Sequence, residues 1–164
     1  MSSKIGVQNI AHTNGTVAAT IASNGNVGIK GHVLQIIVGT GTGDTTTTST
    51  NYVDSNVTAT ITPTLATSKI IVQLNGQMYV FGGGADSGVK MQLLRGSTVV
   101  GHEIQAYSAG GSSMEWAGAV TMCIQDSPNT TSTITYKMQH KCFVGGSGSF
   151  RGSRSTITLM EIGG

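Results

Sequence analysis

The chain holds 164 residues, 38% hydrophobic but only 10% charged, with a net charge of +2. That length fits one ordinary domain and a short appendage, and the charge falls far below the roughly one quarter usual in soluble domains. So small and scattered a set of Lys and Arg excludes a nucleic-acid footprint, and the lack of any apolar run of about 18 residues excludes a membrane-spanning helix.

Polarity comes instead from Thr, Ser, Asn and Gly, with 24 glycines against 2 prolines. β-branched Thr suits a pleated surface, while Gly and Asn suit turns that need positive φ. Few groups remain for acid–base chemistry, and copies of the chain repel one another weakly.

Residues 1–31 begin MSSKIGVQNI, which lacks the apolar core of a secretory signal. Two thin alternations follow: Val17, Ala19 and Ile21, then Val27 and Ile29, set off by Asn14-Gly15 and Asn24-Gly25. Asn-Gly is a strong hairpin signal, but so thin a hairpin buries too little to stand alone. It is expected to order against its own domain, a sister subunit or a larger assembly. HVLQIIVG, residues 32–39, reads as a well-buried strand. GTGTGDTTTTSTN, residues 39–51, shows no periodicity and reads as a loop.

In YVDSNVTATITPTLATSKIIVQLNG, residues 52–76, Val57, Ala59 and Ile61 alternate with Thr58, Thr60 and Thr62. Pro63 breaks the run, and Ile70, Ile71, Val72 and Leu74 lead to Asn75-Gly76. Strands are predicted near 56–62, 69–81, 87–95, 97–105, 114–125, 132–144 and 155–162, with turn clusters at 82–86, 95–97, 108–113, 126–131 and 145–153. Regularly spaced strands, Gly-rich turns and no helix predict an all-β fold, an antiparallel jelly roll or β-sandwich with a short N-terminal β-hairpin extension. Residues 1–31 are read as the appendage and residues 32–164 as the main domain.

Alternation also bears on the two cysteines. Trp116, Val120, Met122 and Ile124 share one face, which places Cys123 on the other, whereas Cys142 shares the apolar face of Ile134, Tyr136 and Met138. If SPNTTST is a hairpin loop, Cys123 sits near Tyr136, and the thiols lie on opposite faces, too far apart to bridge. Both are expected free, in keeping with a reducing cytoplasm.

Little chemistry is on offer. GTGTGD at 39–44 lacks the Lys-Ser/Thr of a phosphate loop and reads as a plain loop. His12, His32, His102 and His140 stand in no ligand spacing; His140 and Cys142 share a strand face, where a buried or inter-subunit histidine is the expected state. Glu103 and Glu115 could serve as a glycosidase pair if their strands are neighbours. Asp54, Asp86 and Asp126 read as turn residues that bond nearby amides. Trp116 reads as core or interface, and Tyr107 as an exposed aromatic contact. Lys137, Lys141, Arg151 and Arg154 read as a solvated strand face. No catalytic residue, metal ligand or cofactor is assigned.

The segment TTSTNYVDSNVTATITPTLATSKIIVQLNG resembles modules in structural proteins of tailed bacteriophages, marine ones especially. The resemblance rests on Tyr52-Val53-Asp54, Thr60-Ile61-Thr62-Pro63 and Ser68-Lys69-Ile70, on Leu93-Leu94-Arg95-Gly96-Ser97, and on residues 155–162. NGTVAATIASNGNV resembles the strand-turn pieces of phage fibre stems. Such modules are similar to trimeric jelly rolls of the C1q/TNF type. The resemblance implies a non-enzymatic virion protein, assembled in the host cytoplasm, that acts as a homotrimeric surface decoration or short fibre and joins capsid or tail proteins through residues 1–31. The alternative is a receptor-binding tail-fibre module holding host surface saccharide through Tyr107, Arg151, Arg154 and the loops 82–86 and 145–153. A depolymerase using Glu103 and Glu115 is the third reading. Neither nucleic acid nor membrane insertion enters any of them.

Overall fold

The computed structural model describes residues 6–21, 23, 25–81, 86–109 and 115–164, with Glu115 and Trp116 described by their backbone alone. The described chain is almost wholly β, relieved by one turn of 3-10 helix at Gly152–Arg154. The first three strands, β1 (Asn9–Ala11), β2 (Val17–Ile21) and β3 (Val27–Gly28), form a small antiparallel sheet of their own. Two main-chain bonds close the β1–β2 turn, His12 N to Thr16 O and Gly15 N to His12 O, each 2.8 Å. Gly15 carries φ of 84°, the left-handed value that lets an Asn-Gly turn match strand twist. The expected hairpin is β2–β3, and β1 extends it to a three-stranded meander: Asn9–Ala11 pairs too, but holds too few apolar residues to show a period.

Two larger sheets are built from the strands between Val33 and Ile162. The first contains β4 (Val33–Thr40), β5 (Thr45–Thr47), β7 (Lys69–Phe81), β11 (Glu115–Asp126), β13 (Ser147–Phe150) and β14 (Thr156–Ile162). The second contains β6 (Val53–Ile61), β8 (Ser87–Arg95), β9 (Thr98–Val99), β10 (Ile104–Ser108) and β12 (Ile134–Val144). All their pairings are antiparallel, and successive long strands repeatedly change sheets, as a jelly roll requires. β7 is the spine of the first sheet. β11 runs along one side of it, while β14 and β13 share the other side, pairing with residues 69–75 and 78–81.

The core is what the alternation dictates. Val57, Ala59 and Ile61 of β6 face Ile70, Val72, Leu74 and Met78 of β7 in one buried cluster with Leu93, Met122, Tyr136, Phe150, Ile157 and Leu159. Each fully buried large side chain contributes about 1.5–3 kcal/mol. The outward threonines of β6 reach across to β12, with hydroxyl pairs Thr60–Thr135 at 2.9 Å and Thr62–Thr133 at 2.8 Å.

The strand predicted over 69–81 is β7 itself, while four other sequence expectations are corrected. Asn75-Gly76 lies inside β7, and its glycine serves close packing: a Cβ there would sit 2.6 Å from Ser155 Oγ and 2.7 Å from the Phe150 ring, where β13 hands over to β14. Residues 97–105 are not one strand; β9 ends at Val99, and β10 starts at Ile104. The Thr-rich loop contains β5, paired with β13, and the turn at 145–153 contains β13 itself. Finally, β11 and β12 form no hairpin, since β11 joins β7 while β12 lies between β6 and β8 in the opposite sheet. The thiols are nonetheless free, Cys123 exposed and Cys142 buried. Side-chain parity is local to a strand and survives a wrong choice of neighbour.

One cluster joins the two sheets. A single guanidinium nitrogen of Arg95 donates to both carboxylate oxygens of Asp126, at 2.9 and 2.7 Å, and the Tyr136 hydroxyl donates to Oδ2 at 2.7 Å. Arg95 and Tyr136 are direct cross-strand partners on β8 and β12, while Asp126 ends β11 in the other sheet. Asp126 also accepts the Ser127 amide at 2.8 Å, the one turn-residue role expected of it.

Removing that carboxylate strands both partners. In urea titration Asp126→Ala is expected to cost about 2–4 kcal/mol, and Asp126→Asn less; a cost within experimental error would show that the cluster holds nothing. Thiol labelling of the denatured, unreduced protein should find both Cys123 and Cys142; finding neither thiol would contradict the fold.

Candidate interaction surfaces

The outward positions of the first sheet form rows across the strands. Ile36, Met160, Ile71 and Gln125 make one; Val38, Thr158, Gln73 and Cys123 the next; Thr40, Thr156, Asn75 and Thr121 the third. Beyond them β7 and β11 present Gln77, Tyr79, Ala119 and Ala117. None of these strand positions is charged. Ile36 and Val38 are 57% and 60% exposed, high for aliphatic side chains in sheet. Among the described residues the exposed large hydrophobics also include Val7, Ile10, Val17 and Val27 of the N-terminal segment and Val33 at the start of β4.

The second sheet's outer face is built differently. Tyr52, just ahead of β6, donates its hydroxyl to Glu103 at 2.6 Å, and Lys90 pairs with the same carboxylate at 2.7 Å. Lys141 Nζ stands 4.5 Å from the Tyr52 ring centre, and Lys90 Nζ 5.0 Å from that of Phe143. Asp54 accepts from Lys137 at 3.0 Å and Gln139 at 2.8 Å, so it is a strand residue pinning β6 to β12, not the expected turn residue. The bonds from Lys90 and Tyr52 hold Glu103 below the usual carboxylate range, and that from Gln139 leads the same effect at Asp54. Burial, followed by the Glu103 bond, pushes the Tyr52 phenol up. The result is a solvated face on which each charged group of β8 and β12 has a partner.

The three residues expected to contact a ligand do not converge. Tyr107 lies on β10, not in a loop; it is 47% exposed, donates its hydroxyl to Asp86 and rests beside Phe143 with ring centroids 6.3 Å apart. Arg151 belongs to the other sheet's corner. It pairs with Asp44 at 2.8 Å and lies over the Tyr79 ring, while Arg154 reaches Gln77 at 3.4 Å. The loop at 82–86 is described only at Asp86, and the Trp116 side chain lies outside the described residues.

Nor do Glu103 and Glu115 stand on neighbouring strands: the strand after Glu103 pairs with β8, and β11 pairs with β7. Glu103 is committed to Tyr52 and Lys90, and the side chain of Glu115 lies outside the described residues. Among the described residues no group of three or more His, Cys, Asp or Glu could hold a metal ion, and no helix is long and apolar enough to cross a membrane.

Sequence reasoning missed Glu161. It is fully buried, accepting from the Thr64 amide at 2.6 Å, the Thr64 hydroxyl at 3.0 Å and the Gln35 amide at 2.6 Å. Burial pushes its carboxyl up, but these bonds outweigh it and hold the group below its ordinary value. It fastens β14 to β4 and to the chain after Pro63. The alternation Ile157, Leu159, Glu161 was the available signal, since it aims the carboxylate inward.

The chain matches no protein-family model and no curated protein. Among solved structures it is similar to the Eiger TNF of S. frugiperda, with TM-score 0.46, 8% identity, and 80% of this chain and 94% of that one covered. The tripod from the baseplate of bacteriophage Tuc2009 gives 0.41 at 15% identity, covering 100% and 84%. The infectious bursal disease virus Gt strain structure gives 0.40 at 11% identity, covering 90% and 46%. At such scores nothing about this chain's role follows from the likeness.

Glu161 yields a pH test. Its folded value is depressed from 4.5, so its contribution is complete above that value and lost as pH falls through the folded one. The stability difference between wild type and Glu161→Gln, from denaturant titration, is expected to be constant near neutrality and to shrink in acid. A difference that grows in acid would reverse the assignment.

Proposed function

We propose that this is a non-enzymatic structural protein of a phage virion, a homotrimeric surface decoration or short fibre. Residues 32–164 form its exposed head, and residues 1–31 join it to capsid or tail proteins. The observation that carries the reading is the segregation of charge between the two outer faces. One face wears paired ions. The central rows of the other carry none, its charged outward positions being Lys69 and Glu115 at the ends of β7 and β11, so copies can bury those rows without stranding a charge. Arg151 and Arg154 border that face from the 3-10 turn, where rim charges belong. The motifs shared with phage modules fit a structural role, because they spend their residues on the fold. Tyr52 and Asp54 strap β6 to its neighbours, and Arg95 and Gly96 make the Asp126 cluster and the β8–β9 turn. The N-terminal sheet, small and apolar outside, supports attachment to another component.

A second reading rests on Tyr107. Its exposed ring is held by Asp86 and Phe143 on the charged face, away from the uncharged one. That leaves a platform for host surface saccharide open in an assembled trimer.

Light scattering should give a trimer at micromolar concentration, and Ile36→Lys with Met160→Lys should give a folded monomer. A monomeric wild type, or a trimer indifferent to both lysines, overturns the assembly. Labelling of intact virions reports head or tail. A chain beginning at Gly31 is expected to keep the head fold and trimer but lose incorporation; normal decoration would place attachment in the head. Binding to a glycan array that Tyr107→Ala abolishes would establish the receptor reading.

A further inference from the structure

Beneath the segment 41–51 lies an ionisable side chain with no part in assembly. His140 projects inward from β12 and is fully buried. Its cross-strand neighbours are Met91 on β8 and Val53 on β6, and the Phe150 ring of β13 lies 6.5 Å away. Neither ring nitrogen makes a well-formed hydrogen bond, and neither does Thr45 Oγ1 on β5. The Thr45 main chain lies near enough to favour the charged ring, but burial outweighs it.

The surroundings offer an imidazolium nothing else. On β12 the titratable neighbour on the same face is Cys142, whose thiol burial pushes up. The inward residues of β6 are Ser55 and Val57, those of β8 are Val89 and Met91, and β13 supplies Phe150. Asp44, Asp54, Lys90 and Lys137 are all engaged with partners on the outer surface, and Lys141 lies over Tyr52.

The cover over the ring is slight. β5 is three residues long, pairs only with β13 and ends its sheet. Otherwise the segment is held at its start by Gly41 N to Ser155 O at 3.1 Å and Thr42 N to Asn56 O at 3.3 Å, by Asp44 accepting from Arg151, the Ser153 hydroxyl and the Ser153 amide at 2.8, 2.6 and 3.2 Å, and at its end by Cys142 N to Ser49 O at 2.8 Å and Cys142 Sγ to Thr47 O at 3.3 Å. So short an edge strand opens more readily than the sheets it rests on.

We propose that His140 and β5 form an acid-released latch, in which protonation of the ring lifts residues 41–51 from β12 while both sheets stay folded. A buried cation without a carboxylate must gain water, and displacing the short edge strand admits water with the least loss of structure. Burial holds the ring at about 4, against an ordinary 6.5. The folded value is depressed, so the closed form is fully favoured above 6.5 and loses ground as pH falls towards 4. Linkage then raises the opening constant about a hundredfold from about pH 7 to about pH 4.

The test reads Cys142, which the segment covers. In a Cys123→Ser background, its labelling by an aromatic disulfide reagent active in acid is compared with the urea-unfolded chain at each pH. The expected result is a rise of about a hundredfold in relative rate between about pH 7 and 4, with the far-ultraviolet dichroism unchanged. His140→Gln should abolish the rise. Asp44→Asn should raise labelling at every pH and keep the slope, which separates the clasp from the trigger. Flat labelling, a rise that appears only with loss of the dichroism, or a rise kept in His140→Gln overturns the latch. Should His140→Gln fail to fold, hydrogen exchange in the wild type decides. The Cys142 amide must lose protection in acid while the Leu93 amide at the centre of β8 keeps it; equal loss at both overturns the proposal.

Discussion

At Asp126 an ion pair ties the two halves of the molecule, a bond with direction where most of their contact has none. A jelly roll made by strands that change sheets presses two apolar faces together, and that force has no direction. It fixes which side of each strand is buried and leaves the sheets free to slide. The carboxylate at the end of β11 removes that freedom by accepting from Arg95 and Tyr136 at once, side by side on β8 and β12 of the other sheet. The acceptor is bound in a fixed geometry, and the surrounding low dielectric strengthens it. Burial and the Asp126 bond both push the Tyr136 phenol up, so it stays a donor.

Glu161 performs a similar service at the other end of the fold. Both carboxylates are inward or half-buried, and both are surrounded by donors from distant parts of the chain. A chain with only 10% charged residues spends several of them as fasteners. Lys90, Lys137 and Lys141 gather on the outer face of β8 and β12, while the central rows of the opposite face stay uncharged. The distribution that closes the fold also makes one face suited to water and the other to protein.

Close backbone approach is the second economy. Gly41 and Gly152 meet so tightly that a Cβ on Gly41 would lie 2.2 Å from the Gly152 carbonyl. This contact and the Asp44 clasp keep the segment before β5 against the 3-10 turn. The N-terminal sheet is joined more loosely: Lys30 bridges Gly163, and the Gly31 amide donates to the Gly163 carbonyl at 2.7 Å. Its apolar residues remain largely outside the core, which is why a role beyond the single chain fits it.

The sequence by itself determined the fold class, most long strands and the face on which each side chain lies. Val57, Ala59 and Ile61, or Met122 against Cys123, follow from the twofold period of a strand, which is a property of a few consecutive residues. The short strands β1, β5 and β13 were illegible, because runs of three or four residues, Asn-Ile-Ala, Thr-Thr-Thr and Ser-Gly-Ser-Phe, carry no period. Which strands are neighbours was decided only by the tertiary structure, since pairing joins residues far apart in the chain and parity is the same for any partner. This is why the expected hairpin between β11 and β12 failed while the free thiols stood, and why Glu103 and Glu115 were separated. It is also why Tyr107 parted from Arg151 and Arg154. The bonds that engage Tyr52, Asp126, Glu161 and Asp44 depend on distances between elements, and no local pattern encodes those.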